Sequence, residues 1–281
     1  MPLQRKELRM LTEIFSYDFM QRAIMAVIAI SVFAPILGIF LILRHQSLMS
    51  DTLSHVSLAG VALGILLGKS TTWSTVIVVT IAAIVLEYLQ TVYKHYIEIS
   101  TAILMSLGLA VALIVTSKSE NASGVNLEQY LFGSIVTINM GQVIALFAIA
   151  VIVLILTLLF IRPMYVLTFD EETAFVDGLP VRLMSLLFNI VTGVAIALTI
   201  PAAGALLVST IMVLPASIAM RLGKNFRSVI FIGVLVGFIG MVTGIITSYY
   251  WETPASATIT VIFVGIFLLV NLFNVIKRHS S

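Results

Sequence analysis

Nine runs of apolar residues divide the chain, at about 23–43, 52–68, 72–92, 99–116, 142–162, 183–200, 203–220, 228–249 and 257–275. A helix needs roughly 20 apolar residues, rising ~1.5 Å each, to cross the hydrocarbon of a bilayer. The pattern therefore predicts an all-α integral membrane protein, a polytopic bundle of eight or nine transmembrane helices. Short alternating segments of the kind a barrel requires are missing. The second run is short and follows the polar stretch Gln46-Ser47-Leu48-Met49-Ser50-Asp51. If that run re-enters instead of crossing, the count falls to eight and the N-terminus changes side. Residues 1–17 are expected to form a surface segment, 18–275 a single transmembrane domain, and 276–281 a cytoplasmic tail. Two polar loops, 117–141 and 162–182, are long enough to carry a role of their own.

Composition agrees with the pattern. The chain is 60% hydrophobic and 10% charged, with a mean hydropathy of +1.15, whereas soluble domains sit near 45–50% apolar and about 25% charged. Soluble enzymes and disordered tails are excluded. No cleavable signal peptide is evident. With no cysteine, disulfides and thiolate metal sites are excluded as well. Net charge, +2, says little, but the placement of lysine and arginine says more. If all nine runs cross, Arg44, Lys94, Arg162, Arg182, Arg221, Lys224, Arg227, Lys277 and Arg278 share one side, against Arg5, Lys6, Arg9, Arg22, Lys69 and Lys118. The positive-inside rule then places the 162–182 loop, the 221–227 loop and the C-terminus in the cytoplasm.

Glycine and proline punctuate the runs. Gly60 and Gly64 form a small-xxx-small face suited to close helix approach, and residues 201–220, with Gly204 and Pro215, are the densest in small side chains. Both features are read as helix packing.

Asp51 and His55 lie four apart at the head of the second run, a spacing that puts both on one helix face. A carboxylate and an imidazole suit zinc and are acceptable to manganese. The competing reading is a helix cap with a histidine bonded to nearby backbone. Two ligands are too few for a closed tetrahedral site, which fits an ion that must be released. Further ligands could come from Glu98 or Met49. Glu87 is read as reaching the headgroups, Asn189 as an interhelical hydrogen-bonding residue, His45 and His95 as solvated loop residues, and His279 as tail. Asp170-Glu171-Glu172-Thr173-Ala174 reads as a helix start with acids at the positive end of the dipole, ended by Gly178-Leu179-Pro180. Such a helix, with Phe175 and Val176 to bury, would make a knob for a soluble partner.

Several chemistries lack their residues. There is no P-loop, no H-E-x-x-H, no G-x-S-x-G and no basic stripe for nucleic acid.

The stretch Leu43-Arg44-x-x-Ser47-Leu48-Met49-Ser50-Asp51-x-x-Ser54-His55-x-x-x-x-Gly60-Val61-Ala62 resembles a signature of the ABC-type zinc and manganese permeases. Gly204 through Pro215-Ala216 resembles the second signature, and Phe169 through Gly178 the coupling loop, with Glu172, Ala174 and Gly178 matching E-x-A-x-x-x-G. Ser50 stands where glycine is frequent, and Ala59 where many members have proline. The likeness is nearest to the zinc permeases of streptococci and related Gram-positive bacteria. It implies a homodimer in the bacterial cell membrane, working with two cytoplasmic ABC ATPase subunits and an extracellular metal-binding lipoprotein. It further implies Asp51 and His55 on the metal path, Asp170, Glu171, Glu172, Ala174 and Gly178 in ATPase coupling, and no permanently bound cofactor. The expected function is that of a permease subunit importing Zn2+, with ATP hydrolysed on a separate subunit. A manganese importer of the same family is the alternative. A proton-coupled secondary transporter would show more buried carboxylates and histidines, and an intramembrane enzyme built on Asp51 and His55 would need a third partner.

Overall fold

The computed structural model describes residues 17–93, 97–118, 127–133 and 138–279. Most of the N-terminal segment, Lys94, His95 and much of the 117–141 loop lie outside these residues. The described chain forms α1 (Asp18–Leu43), α2 (Ser47–Leu66), α3 (Thr71–Val92), α4 (Ile97–Lys118), α5 (Leu127–Phe132), α6 (Met140–Phe169), α7 (Glu171–Val176), α8 (Val181–Ala203), α9 (Ala205–Leu222), α10 (Phe226–Trp251) and α11 (Ala255–His279). No strand occurs among the described residues, and nine of these helices are long and apolar enough to cross a membrane.

The second run belongs to this set. Its helix gains a turn from the polar stretch before it and reaches 20 residues, about 30 Å at the α-helical rise, which matches the hydrocarbon thickness. It is the least apolar of the nine, with a mean hydropathy of 1.3, yet 72% of its window is buried. Its hydroxyls resolve the conflict. Ser50 donates to the carbonyl of Ser47, Thr52 to that of Leu48, Ser54 to that of Ser50 and Ser57 to that of Ser54. A serine or threonine bonded back to its own helix can be buried without an orphaned donor.

Helix boundaries follow local chemistry. Asn139 and Gln142 form a reciprocal capping box at the start of α6, and the Asn225 side chain accepts from Ser228 N–H at the start of α10. The long apolar run that ends at 162 in the sequence continues as helix through Pro163 to Phe169.

The bundle is organised around α1, the most buried helix at 78% of its window, which packs against α6, α9 and α10. Close approach sets that seam. A side chain at Gly38 would meet the Met212 carbonyl, and one at Gly237 would meet Pro35 of α1 and Pro215 of α9. On the other side, α2 packs between α3 and α4, with Gly60 against Thr75 and Gly64 against Thr71. Gly204 separates α8 from α9 at φ +81°, ψ 153°. Its backbone touches that of Gly133, just past α5: a Cβ on either glycine would lie 2.3–2.4 Å from backbone atoms of the other segment. α11 is peripheral, with 11% of its window buried. It rests on α10 through Phe263 over Gly240 and Ile259 over Gly244.

Candidate functional site

α2 begins at Ser47, so Asp51 and His55 fall in its second and third turns. His55 Nε2 lies 3.8 Å from Asp51 Oδ1, with the histidine side chain 17% and the aspartate 40% exposed. His55 Nδ1 is buried without a hydrogen-bond partner. Two atoms bound to one tetrahedral zinc at 2.0–2.2 Å would be roughly 3.3–3.6 Å apart. The observed separation is within a small side-chain rotation of that value. Asp51 does not cap α2, whose preceding residue Gln46 also makes no side-chain cap bond.

Glu98 and Met49 do not complete the site. Among the described residues no third histidine, aspartate or glutamate joins the pair. Glu98 is exposed at the start of α4, and it is the following turn of that helix that meets α2, where Thr52 donates to the Thr101 carbonyl at 3.4 Å. Met49 is fully buried in the hydrophobic core, since the turn that presents Asp51 on the open side of α2 points Met49 inward.

Glu87 also departs from expectation. It turns inward instead of reaching headgroups, and its Oε2 accepts hydrogen bonds from Ser185 Oγ at 3.1 Å and from Asn189 Nδ2. Asn189 is thus an interhelical hydrogen-bonding residue, between α8 and α3. Arg44, whose Nη2 donates to Ser185 Oγ and whose guanidinium lies 5.4 Å over the Phe188 ring, belongs to the same cluster. The sequence signal for it is a charge at the very end of one apolar run and another inside the third.

The acidic loop folds as α7. Asp170 caps it, accepting from Thr173 N–H at 2.9 Å and from the Thr173 hydroxyl. Ala174 is buried against Leu167 and Val181, while Phe175 and Val176 are 75% and 82% exposed. The buried contact is therefore Ala174, and the two larger side chains face outward beside the acids. Gly178 ends the helix at φ +78° with open space around its Cα, so backbone conformation and not crowding selects glycine there.

The Thr173 hydroxyl, and then the Thr173 amide, hold the Asp170 carboxyl below the usual carboxylate value. A depressed pKa contributes stability that is present above the unfolded value and lost as pH falls through the folded one. Amide protection in α7, corrected for intrinsic exchange, is expected to stay level from about pH 7 to about pH 5 and to drop below about pH 4, the ordinary aspartate value. In Asp170→Asn, which keeps an acceptor and cannot titrate, that drop is expected to disappear.

The Arg44 turn, the end of α3, α7 and the start of α8 surround one polar cavity, and Phe226, at the start of α10, contacts Tyr165 at the end of α6. These segments therefore share one end of the bundle, the end carrying Arg162, Arg182, Arg221, Lys224, Arg227 and Lys277. The bundle thus carries an aspartate–histidine pair on one inner helix and an exposed short helix at its basic end. The family model described as the ABC 3 transport family matches residues 16–274.

The chain belongs to the ABC 3 transport family. As a member it is a polytopic membrane permease subunit of an ABC-type metal transporter and not an enzyme, with ATPase activity on separate subunits. It is 27% identical over 254 residues to the high-affinity zinc uptake system membrane protein ZnuB of Haemophilus influenzae, covering 90% of this chain and 97% of that one. It is 25% identical over 262 residues to the manganese transport system membrane protein MntC of Halalkalibacterium halodurans, covering 93% and 89%. Among solved structures, PsaBC from Streptococcus pneumoniae in complex with Fab superposes with a TM-score of 0.83 at 24% identity, covering 94% of each chain. This last likeness speaks for the fold of the ABC 3 bundle.

Proposed function

We propose that this chain is the membrane subunit of a zinc importer and works as a homodimer, with the Asp51–His55 pairs of two copies facing one another across the translocation path. The carrying observation is the pair itself: two good zinc ligands 3.8 Å apart, part-exposed on one helix, with no third ligand beside them among the described residues. Two such pairs supply four oxygen and nitrogen ligands, the number a tetrahedral ion takes. A site completed only by both copies can open when they separate, which favours release over storage. Zinc arrives from an extracellular metal-binding lipoprotein, and α7 passes the ATPase stroke to the bundle through Glu172, Ala174 and Gly178. The similarity to a zinc uptake protein supports the ion, and the similarity to a manganese protein defines the competing reading.

Reconstitution in proteoliposomes with the cognate ATPase and binding protein tests both. ATP-driven uptake of radiolabelled zinc is expected, half-saturated at a concentration at least roughly 10-fold below that for manganese, as the affinity order for nitrogen and oxygen sites predicts. Equal or better manganese uptake would assign the chain to the manganese reading. Collapse of a proton gradient is expected to leave uptake unchanged.

A further inference from the structure

A polar cavity of about 180 Å³ lies at the basic end of the bundle, between the α1–α2 turn, α3, α7 and α8, and it is separate from the Asp51–His55 pair. On one wall, Arg44 donates to Ser185, Ser185 donates to Glu87 at 3.1 Å, and Asn189 donates to the same carboxylate oxygen. On another wall, Gln46 Nε2 donates to Gln90 Oε1 at 3.0 Å. Glu171 of α7 lines the cavity too. Gln46 immediately precedes α2, and Asp51 is five residues further on, about 7–8 Å along the helix axis.

A cluster of this kind built only for stability would have its buried groups paired. Here Arg44 Nη1, Gln46 Oε1, Gln90 Nε2 and Asn189 Oδ1 are all buried with no protein partner. The surplus of donors and acceptors allows a second pairing of the same residues at little added desolvation. A buried polar atom left without a partner is costly to keep, and four of them in one cluster is a cost that packing alone does not explain.

We infer that Arg44, Ser185 and Glu87 are positioning residues that transmit the movement of α7 to the start of α2, and so set the attitude of the metal pair during the transport cycle. This rests on the reading of Asp51 and His55 as the metal site and of α7 as the ATPase contact. In the first arrangement Ser185 bridges the arginine and the glutamate. When α7 is displaced, Glu171 moves against the cavity, the bridge re-forms with the unpaired donors, and the Gln46–Gln90 contact carries the change into α2.

The test uses the whole permease–ATPase complex, carrying Glu87→Gln or Ser185→Ala, in lipid nanodiscs and proteoliposomes. Zinc binding by equilibrium dialysis and recovery of the ATPase with the permease are expected to stay within about twofold of wild type. Zinc transported per ATP hydrolysed is expected to fall by about 5- to 150-fold, the range of ordinary coupling between sites. Arg44→Lys, which keeps a donor for Ser185, is expected to retain more coupling than Arg44→Met. The inference is overturned if transport per ATP is unchanged in both Glu87→Gln and Ser185→Ala, or if binding, recovery and transport fall together, as loss of packing alone would produce. Ser185→Ala removes only a hydroxyl and keeps the experiment decisive should Glu87→Gln not assemble. Failure of the underlying reading has a different signature, namely intact transport in Asp51→Asn.

Discussion

Asp51→Asn and His55→Ala are each expected to abolish zinc uptake while the permease still assembles with its ATPase. In the proposed site shared by two copies, one substitution removes two of four ligands. Disturbing only the groups that orient metal ligands costs about 10- to 100-fold in affinity, so losing ligands themselves is expected to exceed roughly 100-fold. Folding is spared for local reasons. The Asp51 side chain is 40% exposed, and asparagine has its shape, so the stability change is expected to stay within about 0.5 kcal/mol. His55 gives up an Nδ1 that has no partner, and Asp51, the group its Nε2 faces, is 40% exposed and keeps other partners within reach. Radiolabelled uptake, read beside size-exclusion of the complex, separates the two effects. Normal uptake in both variants would end the case for this pair.

Gly204→Ala is expected to prevent accumulation of folded protein. At φ +81°, ψ 153° the residue sits in a region essentially reserved for glycine, and strain there costs about 1–3 kcal/mol. The added methyl would also lie 2.3 Å from Gly133 N and from the Phe132 carbonyl carbon. These are backbone atoms and cannot step aside as a side-chain tip does. Overpacking adds about 1–3 kcal/mol or more, against a net stability of about 5–15 kcal/mol for a typical domain. Gly133→Ala attacks the same contact from α5 and is expected to give the same phenotype. Yield of monodisperse protein and its unfolding temperature in detergent check both. Gly178→Ala is the internal control, because its Cβ would meet nothing within 4 Å and only the backbone term remains.

Eight of the long helices were legible because each is a continuous apolar run, and in a membrane that signal has few rivals; the ninth, α2, was left open because its first turns are polar. Asp51 and His55 were legible as a pair because helical periodicity alone puts them together. What could not be read lay in partners distant along the chain. Glu87 looks like a boundary acid until Ser185 and Asn189, about a hundred residues later, close over it. Met49 looks like a spare sulfur ligand, since sequence does not say which side of α2 meets the core. α5 has only six residues, too few to show a period inside a polar loop. Phe175 and Val176 were expected to bury, yet in so short a helix one small residue, Ala174, makes the inward contact and leaves the larger ones outside.

The attachment of α11 has a consequence for how the bundle is finished. Lipid tails are as apolar as the helix, so no hydrophobic drive holds it in place, and close fit must do so. Phe263 and Ile259 seat in two notches left by Gly240 and Gly244, while most of the remaining surface of the helix faces outward. α11 is therefore a clasp. It closes by shape on a wall already built, and bilayer acyl chains are the medium against which that fit is measured.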